Sequence, residues 1–204
     1  MWSCCHAVTP LDLDTPHGPA RAHMHPVDAP RGALVLGHGA GGGVTAPDLT
    51  AAANVANELG FTVGLIEQPY RVAGRKSPAP APQLDAAWIA AIGQLPLPDG
   101  PLITGGRSSG ARVACRTAEA TNAAGVLCLA FPLHPPGRPD RTRLPELELV
   151  TVPILIVQGE SDPFGMPPGA PGRQVAAIKG NHSLRSDKRA LDAAVREWLS
   201  ARAG

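Results

Sequence analysis

Leu102-Ile103-Thr104-Gly105-Gly106-Arg107-Ser108-Ser109-Gly110-Ala111-Arg112-Val113 passes from an apolar run into a helical pattern through a glycine-flanked serine. The pattern predicts a strand over Leu102–Thr104, a turn of the form G-x-S-x-G over Gly106–Gly110, and a helix beginning near Ser109. Glycine on both sides lets the backbone turn sharply enough to expose the Ser108 hydroxyl, and the helix N-terminus behind it favours developing negative charge. With 23 glycines in 204 residues such a pentapeptide also arises by chance as a plain strand-to-helix turn, so its weight depends on its surroundings. Ser109 lacks the symmetric flanking, and its N–H is better suited to bind an oxyanion than its hydroxyl is to attack.

Outward from that stretch the chain alternates strand and helix. Ala33-Leu34-Val35-Leu36, Phe61–Ile66, Gly125–Ala130 and Pro153–Val157 are apolar runs without polar interruption, as expected of strands covered on both faces, and Gln174–Ile178 is a shorter one. Helices are expected from Pro47 to a stop at Gly60, around Leu84, Trp88 and Ile92, and at the C-terminus through Leu191, Val195, Trp198 and Leu199. Two extended stretches from about His6 to Val27, with Leu11 and Leu13 alternating in one and Ala22 and Met24 in the other, flank a Thr15–Pro19 turn and read as an antiparallel hairpin. Together these predict an α/β fold in one domain spanning 1–204, a mostly parallel central sheet with helices on both faces. The proline-rich and charge-rich segment Phe131–Val150 is too short for a domain and is expected as an ordered loop over the sheet edge, leaving minimal or no lid.

Composition narrows the function classes. Apolar residues make up 44%, charged residues 17%, and the net charge is +1, so no broad basic field is available for nucleic acid or an anionic membrane. Residues 1–10 lack a basic segment followed by an apolar one, and no apolar run reaches membrane-spanning length, so a cytoplasmic location is expected. Cys4, Cys5, Cys115 and Cys128 form neither a metal-ligand spacing nor a disulfide framework; the latter two are expected as small buried packers. No metal is expected either, since His23 and His25, with His6 or His17 as a third ligand, read more simply as a solvated strand face.

A serine hydroxyl needs an imidazole to take its proton and a carboxylate to hold that imidazole in one tautomer. After the apolar strand 153–157 comes Gln158-Gly159-Glu160-Ser161-Asp162-Pro163-Phe164-Gly165, and after the next strand Gly180-Asn181-His182-Ser183-Leu184. Ser108, Asp162 and His182 therefore follow one another in chain order, each on a loop at a strand end; Glu160 is the alternative carboxylate. The glycine-rich loop after the first central strand, His38-Gly39-Ala40-Gly41-Gly42, places Ala40 as a second backbone oxyanion donor beside Ser109. The same loop also reads as G-x-G-x-x-G over Gly37–Gly42, with Glu67 as a ribose acceptor for a dinucleotide. That reading places Glu67 too far along the chain and the helix start at Pro47 too late. Tyr70, Arg71 and His134 lie on loops and are candidates to line the substrate entrance.

These motifs resemble the α/β-hydrolase superfamily, and within it the small dienelactone-hydrolase-like branch that includes a testis-expressed protein and a subunit of a chromatin acetyltransferase complex. The resemblance rests on Leu36–Gly42, Pro69-Tyr70-Arg71, Gly105–Gly110, Phe131–Gly137, Gln158–Gly165 and His182-Ser183, and spans nearly the whole chain. It implies an eight-stranded type of sheet and a serine triad at Ser108, Asp162 and His182. Dienelactone hydrolases proper carry cysteine as nucleophile, so Ser108 points instead to a serine esterase. The expected activity is hydrolysis of a small acyl substrate through an acyl-serine, without a cofactor, by a monomer or homodimer. A non-catalytic binding module on the same fold is the alternative.

Overall fold

The structure is a computed structural model and describes residues 10–202. In chain order its elements are β1 (Pro10–Leu13), β2 (Ala20–His25), β3 (Gly32–Gly37), α1 (Pro47–Glu58), β4 (Phe61–Glu67), α2 (Pro69–Val72), α3 (Ala81–Ile92), β5 (Leu102–Arg107), α4 (Ser109–Thr117), β6 (Gly125–Leu129), α5 (Leu144–Glu148), β7 (Ile154–Gly159), β8 (Arg173–Ile178) and α6 (Lys188–Ser200). The strands form one sheet in the order β1-β2-β4-β3-β5-β6-β7-β8. The β1/β2 and β2/β4 pairs are antiparallel and every pair from β4 to β8 is parallel. Because β3, β5, β7 and β8 run the same way, the loops that follow them all open on one rim of the sheet.

Side-chain alternation divides the core into two layers. Leu34, Leu36, Leu127, Leu129, Leu155 and Val157 face α1 and α6, packing on Leu49, Val55, Val195 and Trp198. Their strand neighbours turn the other way: Val35 meets Trp88 and Val113, while Val126, Cys128, Ile154 and Ile156 meet α4 through Ala111 and Cys115. Full burial of such a side chain stabilises by roughly 1.5–3 kcal/mol, so the central strands hold the rim in place. The helix starts follow their caps: Pro47 lies in the first turn of α1, and Asp187 accepts from the Ala190 N–H at 2.9 Å to begin α6.

Several boundaries differ from expectation. β5 continues through Arg107 rather than stopping at Thr104, because Gly105 and Gly106 pair with β3 and β6 on either side. These glycines serve close approach: a Cβ on Gly105 would lie 2.2 Å from the Leu127 carbonyl oxygen. α2, four residues long, occupies the stretch expected as loop, and Pro82 belongs to the first turn of α3. Segment 131–150 is not a loop over the sheet edge. It carries α5, whose Leu147 is buried in the layer beneath α4 and whose Glu146 takes a two-pronged bond from Arg112 at 2.8 and 2.5 Å. Since α5 lies on α4, this excursion between β6 and β7 builds no lid domain.

The hairpin is present as β1 and β2, although Leu11 is 37% exposed on the edge strand while Leu13 is buried. His23 and His25 do not form a solvated face; both are half-buried beside Val44, Thr50 and Leu65, and His23 Nε2 lies 3.1 Å from Glu67 Oε2. Cys115 and Cys128 are buried with sulfurs 3.5 Å apart, and that mutual hydrogen bond, reinforced by burial, pushes the Cys128 thiol well up. The expectations that involve Cys4, Cys5 and His6 lie outside the described residues.

Candidate active site

Ser108 sits between β5 and α4 with φ 52° and ψ −106°, a left-handed conformation that costs a non-glycine residue on the order of 1–3 kcal/mol. The surrounding backbone holds it there. The Ser108 N–H donates to the Leu129 carbonyl at 2.9 Å, and the turn presses against β3 so closely that a Cβ on Gly106 or Gly110 would lie 2.4 or 2.3 Å from the Gly37 oxygen. This is why the motif needs glycine two residues either side of the serine: no side chain fits between the turn and β3.

Asp162 and His182 are brought to the same point by β7 and β8. His182 Nε2 lies 3.0 Å from Ser108 Oγ, and His182 Nδ1 lies 2.8 Å from Asp162 Oδ2. An ionised carboxylate only accepts, so Nδ1 carries the proton and the Nε2 lone pair faces the serine hydroxyl. The Asp162 side chain is 1% exposed and that of His182 18%, so the acid is shielded while the ring edge is reachable. Phe164 stacks on the imidazole at 4.2 Å between centroids, and the loop 180–184 is shaped by an Asn181 turn whose Oδ1 accepts from the Ser183 N–H at 3.0 Å. Glu160, by contrast, is exposed and takes no part in this chain of bonds.

The carboxylate is itself held. Gln158 Nε2 lies 2.9 Å from Asp162 Oδ2, 3.1 Å from the Phe131 oxygen and 2.8 Å from the Gly165 oxygen, while the Phe164 N–H donates to Asp162 Oδ1 at 2.9 Å. Three acceptors around one atom fix the amide orientation, since the carbonyl end could satisfy none of them. Gln158 was expected only as part of an exit loop. Its signal was a lone polar residue closing the apolar run 154–157, the place where a buried side chain must find partners.

The loop after β3 is fixed through its carbonyls. His38 is 3% exposed; its Nε2 accepts from the Gln68 N–H at 3.1 Å, so Nδ1 bears the proton and donates to the Gly39 oxygen at 2.8 Å. Burial depresses its basicity, keeping this tautomer neutral. The Gly42 N–H donates to the same Gly39 oxygen at 3.2 Å, and the Tyr70 hydroxyl donates to the Ala40 oxygen at 3.0 Å. The Ala40 N–H belongs to the Gly39–Ala40 peptide and, in a planar trans unit, points opposite the pinned carbonyl. A Cβ on Gly39 would lie 3.6 Å from Ser108 Cβ, which sets this loop directly beside the serine. Ser109 opens α4; Arg112 N donates to the Ser108 oxygen, so the N–H of Ser109 precedes the first helical bond and has no partner within the helix.

The other expected residues divide. Tyr70 is buried with its hydroxyl on the Ala40 oxygen of the loop after β3, and His134 stands against the Asp162 loop, its backbone N–H donating to the Phe164 oxygen at 3.0 Å. Arg71 lies half-buried in α2. The dinucleotide reading finds no support: α1 begins at Pro47, beyond the glycine run, and Glu67 is turned toward His23.

The fold is shared with solved structures. An α/β serine hydrolase without lid from Xanthomonas campestris shares 22% identity over 93% of this chain and 94% of its own, with a TM-score of 0.70. Est1E from Butyrivibrio proteoclasticus shares 15% over 95% and 98%, with a TM-score of 0.76. A dienelactone hydrolase from Anabaena variabilis shares 16% over 95% and 95%, with a TM-score of 0.70. At such identities the likeness is one of fold. A comparison with curated proteins gives no match. The family described as alpha/beta hydrolase domain matches residues 30–198, a span that contains β3 through most of α6 and all three residues of the hydrogen-bonded chain. On that match and this fold, the chain belongs to the alpha/beta hydrolase domain family.

Proposed function

We propose that the protein is a serine hydrolase that cleaves an ester or related acyl bond through an acyl-serine intermediate. The observation that carries this reading is the unbroken relay Ser108 Oγ to His182 Nε2 at 3.0 Å and His182 Nδ1 to Asp162 Oδ2 at 2.8 Å. As Oγ attacks the carbonyl carbon, its proton passes to Nε2, and the carbonyl oxygen becomes an oxyanion held by the N–H groups of Ala40 and Ser109. Collapse breaks the bond to the leaving alcohol, which takes the proton from Nε2. Water then gives a proton to Nε2 as it attacks the acyl carbon, and Ser108 recovers that proton when the acid departs. Asp162 stays ionised throughout.

The motif resemblance supports placing the chain beside the small dienelactone-hydrolase-like branch, with Ser108 in place of that activity's cysteine. The reading takes a small acyl substrate, a cytoplasmic setting, and a monomer or homodimer, with neither nucleic acid nor membrane as partner. It agrees with the net charge of +1 and with the lack, among the described residues, of any helix long and apolar enough to cross a membrane. Est1E, whose structure has been solved with ferulic acid bound, supports an ester panel that includes aromatic acyl groups.

A fluorophosphonate probe and a panel of aryl esters of graded acyl length test the proposal. The native protein is expected to label, and Ser108→Ala to lose both labelling and hydrolysis, the latter by roughly 10⁴-fold or more. A folded native protein that neither labels nor hydrolyses any ester overturns the proposal and favours a binding module on this fold.

A further inference from the structure

The residue between Gly106 and Ser108 does something the motif does not require of it. Arg107 closes β5, and its guanidinium reaches in two directions: Nε donates to Asp48 Oδ2 at 2.7 Å, and Nη2 donates to the backbone oxygen of His182 at 3.1 Å. Asp48 lies in the first turn of α1 with its side chain 1% exposed, and it also accepts from the Leu49 N–H at 3.0 Å. The third nitrogen, Nη1, lies where a Cβ on Gly39 would sit 2.9 Å away. One side chain on the serine turn thus bonds to the start of α1 and to the imidazole loop, and it packs beside Gly39 of the oxyanion loop.

We infer that Arg107, braced by Asp48, is a positioning residue that sets the distance between Ser108 Oγ and His182 Nε2. The inference rests on the hydrolase reading above, and three observations carry it. The nucleophile's covalent neighbour grips the base's own backbone, so the separation of the two loops is spanned by a single planar group with a fixed fork of donors. The remaining ties on the imidazole loop act elsewhere: Ser161 N–H and Oγ both hold the Gly180 oxygen, and the Asn181 turn is internal to the loop. No other side-chain bond among the described residues joins residue 182 to the serine side except the relay itself.

The pair is also poorly explained as a stabilising ion pair. Burial raises the Asp48 carboxyl above its ordinary value despite the guanidinium beside it, so taking the charge out of water outweighs the attraction. Arg107 is equally poorly placed as a binding site for an anionic substrate, because Asp48 offsets its charge and the side chain is 20% exposed. What the arrangement supplies is geometry, and displacement by about an ångström at a reacting pair costs on the order of a hundredfold in rate.

The test compares Arg107→Ala, Arg107→Lys and Asp48→Asn with the native protein. Arg107→Ala is expected to slow fluorophosphonate labelling and kcat by about a hundredfold with KM within about twofold. Millimolar methylguanidinium is expected to restore much of the loss, since it refills the space with the same fork of donors. Arg107→Lys, with one nitrogen for two distant partners, recovers only part, and Asp48→Asn falls between. Proton NMR reads the same geometry without turnover: the far-downfield Nδ1 proton of His182, identified by its disappearance in His182→Gln, is expected in the native protein and weakened in Arg107→Ala. Labelling of Arg107→Ala at the native rate, or an undiminished Nδ1 signal, overturns the inference. Should Arg107→Ala not fold, an unchanged kcat and Nδ1 signal in both Arg107→Lys and Asp48→Asn overturns it equally. A native protein that does not label sinks the hydrolase reading instead, and the NMR comparison still decides the role of Arg107.

Discussion

The two halves of the relay are positioned by different physical means. Ser108 is held by backbone: a left-handed φ, an N–H bonded to β6, and two glycines pressed on the Gly37 carbonyl of β3. Asp162 and His182 are held by side chains and turns: the Gln158 amide, the Phe164 N–H, the Asn181 turn and Arg107. Steric positioning is all-or-none because packed backbone has nowhere to go, whereas hydrogen-bonded positioning is graded, one bond at a time. Substitutions on the serine side should therefore act mainly on folding, and substitutions on the acid side mainly on turnover.

Gly110→Ala breaks the comparison most directly. The added methyl meets the Gly37 oxygen at 2.3 Å and the Gly37 carbon at 2.6 Å, both backbone atoms of a central strand. A loss of about 3 kcal/mol is expected from such overpacking. In a chain of this size that is a fall in melting temperature of roughly 6–12 °C, measurable by calorimetry. A variant that melts like the native protein shows that the turn can shift, and removes the steric account of the motif.

Gln158→Leu probes the other side. It removes the donor facing Asp162 Oδ2 and leaves that oxygen with His182 alone. Hydrogen bonds to charged groups are worth about 1.5–3 kcal/mol, so kcat should fall by roughly 10- to 150-fold with the serine turn undisturbed. The measurement is ester hydrolysis beside a chymotryptic digest that reports folding. If the variant unfolds but those molecules that remain native react at full rate, Gln158 is holding strands together rather than the carboxylate.

What was legible in the sequence follows the same division. The central strands, α1, α6 and the serine turn announce themselves, because continuous apolar runs and flanking glycines are local consequences of burial and backbone crowding. Ser108, Asp162 and His182 could be placed on one rim because a parallel sheet puts its loops there. Short elements were not legible: α2 and α5 have four and five residues, too few for a helical period, and are fixed by contacts made elsewhere, such as Glu146 with Arg112. Nor were the supports. Gln158 meets the Phe131 oxygen, Arg107 meets Asp48, and Tyr70 meets Ala40 across separations of 27, 59 and 30 residues, which no window of sequence spans.

The loop after β3 lies between the two regimes, and Tyr70→Phe is the mildest way to sharpen the contrast. Gly39 supplies the room, since a Cβ there would lie 2.9 Å from Arg107 Nη1, yet the loop's orientation depends on two side chains, His38 on the Gly39 oxygen and Tyr70 on the Ala40 oxygen. Burial raises the pKa of the Tyr70 phenol above its ordinary value, so the hydroxyl stays protonated and able to donate near neutral pH. Losing this bond leaves the ring in place, edge-on to His38 at 5.7 Å, and frees only the Ala40 carbonyl. A neutral hydrogen bond is worth about 1 kcal/mol, which predicts a roughly fivefold drop in kcat with KM and melting temperature nearly unchanged. Initial-rate measurements on one aryl ester decide it. An unchanged kcat means the His38 contact alone orients the Ala40 N–H; a drop approaching that of Gln158→Leu means the loop is held bond by bond, as the acid is, and not by crowding, as the serine is.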